Sequence, residues 1–395
     1  MNLERKQNIN HQLILTLFLG IVFILDILNK FDFAEETPWV YLIKFIKSVF
    51  YIFFLGIVLK QFQENYLKIG LSILLLFFIS SQFSLFIRGV SLEKDWILNF
   101  RFLILLFFPL LFSSYVFLIP PIQSNSLLKK VFFGIIFLIV ISIIIGFLLE
   151  IKVFKTYVNR FGYLGLMPKS ITATYFYISA LSFLYHSYII DKVTKLKWLF
   201  FGVLFSSLLV GTKAIYLFLL LLFGYHFFRF KWYRKSFLYL PVILISIGLY
   251  FFKDVLYIQG KLYFKDIFLL YESKGLLASL TSLRDEILIT NFNKYNEVWE
   301  WFNYLIGGKV YSFMLYENSV LDLYSFFGIL GLILYLWLLY KNLKKMISTR
   351  NSFACFFLVS VFIISILAGQ FFFNTSAVLY FILSFYLINS YGGKR

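Results

Sequence analysis

The sequence predicts an all-α polytopic membrane protein, and three observations predict it. Of 395 residues 61 % are hydrophobic and only 14 % charged, against roughly 25 % charged in soluble domains. The apolar residues fall in runs close to the ~20 residues that a helix needs to cross a bilayer core. Lys and Arg collect between alternate runs, which is the pattern that membrane topology imposes on a chain with a net charge of +18. So many apolar residues cannot be hidden in one core, because exposed area grows too quickly with chain size, and the excess must face lipid. The same clustering argues against nucleic acid as the partner of the positive charge.

Twelve runs are candidate spans: 11–28, 38–58, 68–88, 97–119, 130–149, 170–190, 196–212, 213–229, 236–252, 318–340, 352–369 and 374–391. Only Gly211, Thr212 and Lys213 interrupt the seventh and eighth, so a tight turn is required there. With both termini cytoplasmic, the inner loops take Lys192, Lys195 and Lys197, then Arg229, Lys231, Arg234 and Lys235, then Lys341, Lys344, Lys345 and Arg350. Of the 19 acidic residues only Glu4, Glu64 and Asp191 fall on that side, so span parity agrees with the positive-inside bias. The first run ends at Lys30 with no small-residue cleavage motif and is read as a retained span. The single cysteine, Cys355, excludes an intrachain disulfide.

The chain reads as one integral-membrane domain, 1–395, with no internal repeat and one long external loop, 253–316, between the ninth and tenth spans. Loops this long inside a compact fold are usually functional. Ser282 and Asp285 are spaced as a capping box, and Leu288, Phe292, Tyr295, Trp299, Phe302 and Ile306 follow as one apolar stripe. The spacing predicts an amphipathic helix in the membrane interface, stopped by Gly307 and Gly308. Arg284 would open that helix, where backbone amides, dipole and guanidinium together favour an anion.

Several reactions lack their residues. The histidines, His11, His186 and His226, lie in or near the inner ends of the spans, and no zinc-ligand cluster, GxGxxG or P-loop lysine occurs. Chemistry on the outer face must therefore use carboxylates as acid or base and Arg or Lys to hold negative charge. Glu93 and Asp95 form a weak metal pair. Among charges within apolar runs, Lys44 and Lys47 are expected to snorkel to the interface, and Arg101 is a candidate cavity residue.

The most informative stretch runs from Glu317-Asn318-Ser319-Val320-Leu321-Asp322 to Gly328-Ile329-Leu330-Gly331. It sets two carboxylates five residues apart at the outer mouth of the tenth span. Five residues are about 500° of helical rotation, so the pair does not share one face and is not a shared-proton dyad.

Here the chain resembles the bacterial O-antigen polymerase and O-antigen ligase superfamily. Asn318, Leu321, Asp322, Gly328 and Gly331 match its segment, and Glu317 stands where the ligase branch carries a functional histidine. Arg160 to Pro168 is similar to the family's Arg-, Gly- and Pro-containing loop. Val210 to Ala214 is similar to its small-residue motif, with Lys213 as the basic residue, and Ser282 to Arg284 is similar to a basic position of its external loop. The resemblance covers about residues 100–390. It implies a polysaccharide polymerase working at the outer face of a bacterial cytoplasmic membrane on repeat units borne by a polyprenyl diphosphate. Glu317 and Asp322 would be catalytic, and Arg160, Lys213, Arg284 and Arg101 would bind substrate. It also implies membrane lipid, a flippase and a chain-length regulator as partners, with no cofactor, nucleotide or metal. An O-antigen ligase and a flippase of lipid-linked oligosaccharides are the alternatives.

Overall fold

The computed structural model describes residues 2–31, 38–61, 65–90, 93–118, 127–157, 161–234, 250–263, 265–347 and 351–391. The expected ninth span, 236–252, falls almost wholly outside them. Each of the other eleven apolar runs is helical, most with ends within about five residues of those expected, although the first helix starts nine residues early: α1 Asn2–Phe31, α2 Pro38–Gln61, α3 Asn65–Ile87, α4 Glu93–Leu118, α5 Leu127–Leu148, α6 Ser170–Tyr185, α7 Lys197–Leu209 and α8 Lys213–Arg229. After the 253–316 segment come α13 Ser319–Met346, α14 Ser352–Ala368 and α15 Thr375–Tyr391. Five helices, α1, α3, α4, α5 and α13, are long and apolar enough to cross a membrane. The protein is therefore an all-α membrane protein.

The shorter helices have a different place. From Thr172 to Tyr185 every residue of α6 is buried, and α15 is buried from Ala377 to Ile388. A helix that is apolar all round belongs inside, and these two pack extensively on each other at the centre of the bundle. The long helices turn side chains such as Ile24, Leu76, Phe137 and Ile333 outward. In an apolar bundle polar side chains fix register: Asn342 of α13 donates to Leu110 O at 3.1 Å and Ser114 Oγ at 2.7 Å in α4, and Tyr335 donates to Leu106 O at 2.7 Å. These groups flank Pro109, which interrupts the backbone ladder of α4.

The segment between α8 and the helix that opens at Ser319, expected to be an external loop, departs from expectation in its helices. It holds α9 Lys253–Tyr263, α10 Lys265–Thr281, α11 Arg284–Val298 and α12 Trp301–Ile306, not one amphipathic helix. Ser282 and Asp285 form no capping box: Leu283 is the N-cap in a left-handed conformation, with no side-chain cap, and Asp285 accepts from Thr281 Oγ1 instead. The capping box is at α12, between Glu300 and Asn303. Nor is the stripe one continuous exposed face. Tyr295 and Trp299 are buried with Leu85, Val310 and Tyr316 in a small satellite core, whereas Leu288 and Phe292 are exposed. Arg88, at the end of α3, clamps this core by donating to Val298 O and Asn303 Oδ1, both at 2.9 Å.

The expected Gly328 has a definite task. Helix α13 breaks there, with φ +62°, and a Cβ on Gly328 would lie 2.3 Å from the carbonyl of Leu305. Gly307 meets Phe326 in the same way, so α12 crosses the break backbone to backbone. Broken helices occur at membrane depth only where protein or a cavity covers the freed groups, and here the N–H of Gly308 donates to Ser325 O at 3.0 Å. Gly328→Ala adds to that overlap about 1 to 3 kcal/mol of backbone strain, because φ +62° with ψ −170° is a region essentially reserved for glycine. Size-exclusion and thermal unfolding in detergent should show sharply less folded protein. Gly134→Ala, where the added methyl group meets open space, should behave as wild type.

Candidate functional site

One end of the bundle collects most of the sequence-predicted site residues. Glu317 precedes α13 at φ +54°, with its carbonyl against Gly369, where a Cβ would lie 2.1 Å from that oxygen. Asn318 caps α13, its side chain accepting from the N–H groups of Val320 and Leu321. This turn aims the Glu317 carboxylate at α11, and Arg284 Nε donates to Glu317 Oε2 at 3.0 Å. Arg284 Nη1 also donates to Leu367 O at 2.8 Å, near the end of α14. Both side chains of the ion pair remain about a third exposed. The helix-opening position expected for Arg284 is correct, but its guanidinium faces a carboxylate.

Lys213 opens α8 after the tight turn at Gly211 and Thr212, as the sequence requires. Its ammonium donates to Ser279 O and, at 2.8 Å, to Ser282 Oγ. Ser282 stands two residues before Arg284, so Lys213, Arg284 and Glu317 are joined through one short stretch of chain. Tyr175 of α6 has a buried hydroxyl with no hydrogen-bond partner among the described residues, within electrostatic reach of Arg284. Neighbouring Thr174 shares a 3.0 Å hydrogen bond with Thr212.

Arg160 lies outside the described residues. The residues after it, Phe161 to Tyr163, pack on the turn before Lys213: the Tyr163 N–H donates to Leu209 O at 2.8 Å, and Gly211 abuts Phe161 O. Asp322 is fully buried in the first turn of α13, where Oδ1 accepts from the Tyr316 N–H at 2.7 Å. That bond fixes the residue preceding Glu317, so Asp322 shapes the turn from beneath and does not share its solvent-facing side.

Lys309 was not expected. It is buried, donates to Phe313 O at 2.6 Å and Met314 O at 3.2 Å, and lies over the ring of Tyr295. Its carbonyl accepts from Gln82 and Asn99, at 3.0 and 2.8 Å, so the segment after α12 is anchored to α3 and α4. Its only sequence signal is a lysine directly after Gly307-Gly308.

Arg101 lines a separate cavity of about 260 Å³ between α1, α2, α4 and the starts of α6 and α15, with Asp26, Lys47 and Lys169. Lys47 does not snorkel. It forms an ion pair with Asp26, which is buried in the first span. The signal for Asp26 was a lone carboxylate inside an apolar run, since such a charge costs about 3 kcal/mol at mid-bilayer and needs a partner. The side chains of Lys44 and Glu93 lie outside the described ones. Among the described residues no three His, Cys, Asp or Glu side chains gather as a metal site.

Compared with known proteins, the chain matches no family model, no curated protein and no solved structure.

Burial lowers the Lys309 ammonium from the ordinary 10.5 to about 8, and the Asp322 carboxylate opposes that shift. The folded state then binds fewer protons than the unfolded chain between about pH 8 and 10, so this lysine makes stability rise with pH across that window. Thermal unfolding should show the melting temperature of wild type gaining on that of Lys309→Met from pH 8 to 10. A difference independent of pH contradicts the assignment.

Proposed function

We propose that this protein is a polysaccharide polymerase of O-antigen or capsule type. It joins oligosaccharide repeat units carried on a polyprenyl diphosphate at the outer face of a bacterial cytoplasmic membrane, with twelve spans and both termini cytoplasmic. The observation that carries this reading is the meeting of a carboxylate, Glu317, with the cations Arg284 and Lys213 at one end of an apolar bundle. They come from three separate segments, and both members of the ion pair keep solvent access. The resemblance of residues 317–331, 160–168 and 210–214 to the polymerase and ligase superfamily supplies the substrate class. Glutamate in the ligase histidine's position favours the polymerase branch.

In this scheme an acceptor sugar hydroxyl attacks the anomeric carbon of the donor. The carbon–oxygen bond to the lipid diphosphate breaks, and its electron pair leaves with the diphosphate. Glu317 takes the hydroxyl proton, while Arg284 and Lys213, with Arg160, offset the charge that develops on the leaving group. Attack opposite the leaving group inverts the anomeric centre. Donor phosphate oxygens compete with Glu317 for Arg284, so donor binding frees the carboxylate as it engages the guanidinium. Asp322 holds the turn beneath.

Purified protein incubated with lipid-linked repeat unit should lengthen the glycan, and a deletion strain should carry single-repeat product. Free long polymer in that strain would mean a ligase, and internal accumulation a flippase; either overturns the proposal. Glu317→Gln should lower turnover about 100- to 10,000-fold with the protein still inserted, and an active variant removes the base assignment. Arg284→Ala should impair donor use more than acceptor use in steady-state kinetics. Equal effects contradict its role at the diphosphate.

A further inference from the structure

Hydroxyls that join no hydrogen bond run in a line along the centre of the bundle. Serines inside helices ordinarily donate to a carbonyl three or four residues back. Here Ser142, Ser206, Ser207 and Ser365 do so, to Ile139, Val203, Leu204 and Phe362, at 2.6 to 3.2 Å. Ser179 and Ser182 of α6 and Ser384 of α15 do not: each is fully buried, and its hydroxyl has no partner among the described residues. The hydroxyls of Tyr175 and Tyr380 are in the same condition. Tyr175, Ser179, Ser182 and His186 recur at steps of four, three and four, which sets them within about 60° of one another on one face of α6. Helix α15 runs alongside in the same direction, because Asn374 donates to Thr172 at 2.8 Å and one turn later Tyr380 packs on Phe176, with ring centroids 5.0 Å apart. The same offset brings Ser384 to the level of Ser182.

At the far end of α6 the line meets a titratable pair. Beyond Tyr185 the helix widens into a π-turn, His186–Ile190. There the Asp191 N–H donates to the His186 carbonyl at 2.9 Å, five residues back, and Asp191 Oδ2 lies 3.1 Å from His186 Nδ1. His186 is buried against the ring of Phe353, whereas the Asp191 carboxylate is 22 % exposed. Such π-turns are rare and recur at functional sites. At the near end, Tyr175 is within reach of Arg284, whose partner Glu317 keeps access to solvent. Tyr175 and His186 are about 16 Å apart along the axis at 1.5 Å per residue.

We propose that this line is a proton path through the bundle, in which water and the hydroxyls of Ser182, Ser179 and Tyr175 connect the His186–Asp191 pair with the end that holds Arg284 and Glu317. Burial without a partner is costly for a hydroxyl. Ser179, Ser182 and His186 stand about 4.5 to 6 Å apart along the axis, the reach of one water making two hydrogen bonds. Ser384 and Tyr380 offer such waters further partners from α15. Single hydroxyls a turn apart are too sparse to replace the roughly six oxygens around a divalent cation, so the proton is the ion that fits. Asp191 passes a proton to one ring nitrogen of His186 while the other ring nitrogen releases one to the first water. Each water or hydroxyl then takes a proton on one side and gives up its own on the other, so one leaves for each that enters. The path is a property of the bundle and does not require the transfer reaction.

The test is proton flux into liposomes that hold the purified full-length protein and a trapped pH-sensitive dye, driven by a potassium gradient with valinomycin. Flux should exceed that of protein-free liposomes, and flux equal to theirs overturns the path. Ser182→Thr and Ser182→Val differ in a hydroxyl and hardly in size. The threonine variant should retain flux, and the valine variant should lower it about tenfold, the loss expected of one hydrogen bond. Equal flux in the two, whether retained or lost, overturns the role of the Ser182 hydroxyl in the path. Radiolytic labelling of wild type reads the water itself. Tyr175 and Tyr380 should label faster than Tyr335, which is as deeply buried but donates to Leu106 O. Equal labelling of the three overturns the water chain. Because neither readout needs substrate, a protein that conducts protons but lengthens no glycan would overturn the proposed reaction and leave this path standing.

Discussion

The contact between Arg284 and Glu317 ties together segments that the apolar bundle alone would leave apart. The guanidinium bridges the start of α11, the turn before α13 and the last carbonyls of α14, and Ser282, two residues earlier, receives Lys213 from the start of α8. The bundle supplies the reason such a contact is needed. Its interior is lined by Phe, Leu and Ile, so charged groups are confined to its ends or must find partners, and a charge left alone near membrane depth is expensive. Asp26 with Lys47 meets the same constraint by pairing, and Lys309 meets it by donating to two backbone carbonyls.

Glycines hold this arrangement in place. Gly369 lets the backbone of Glu317 approach where a side chain would collide, which fixes the direction of the carboxylate. Gly307 and Gly328 let α12 cross the break in α13, which fixes the satellite core of Tyr295 and Trp299 over the same end of the bundle. The Glu317 turn thus sits between two close backbone crossings, supported from below by Asp322.

The helices were legible in the sequence because hydrophobic run length reports directly on burial and span. Apolar runs such as 130–149 and 352–369 became α5 and α14 with little change. The 253–316 segment was less legible. Its stripe at Tyr295 and Trp299 has the period of a surface helix, but period alone does not say whether lipid or a local core covers the face, and Leu85 and Tyr316 cover it here. The Ser282 and Asp285 spacing suggested a cap that Lys213 and Thr281 pre-empt. Glu317, Arg284 and Lys213, which the structure brings together, had been singled out from motif and position, whereas Asp26 and Lys309 had not, because each is a single charge whose meaning depends on its partners in the fold.

The central claim is that Arg284 and Glu317 are coupled across the folded protein and not merely near each other in chain order. A double-mutant cycle on thermal unfolding in detergent, using Arg284→Ala, Glu317→Ala and the double variant, measures that coupling directly. An interaction energy of about 0.5 to 1 kcal/mol is expected for a partly exposed, well-aligned pair. Additive losses, with no coupling between the two positions, would contradict the account.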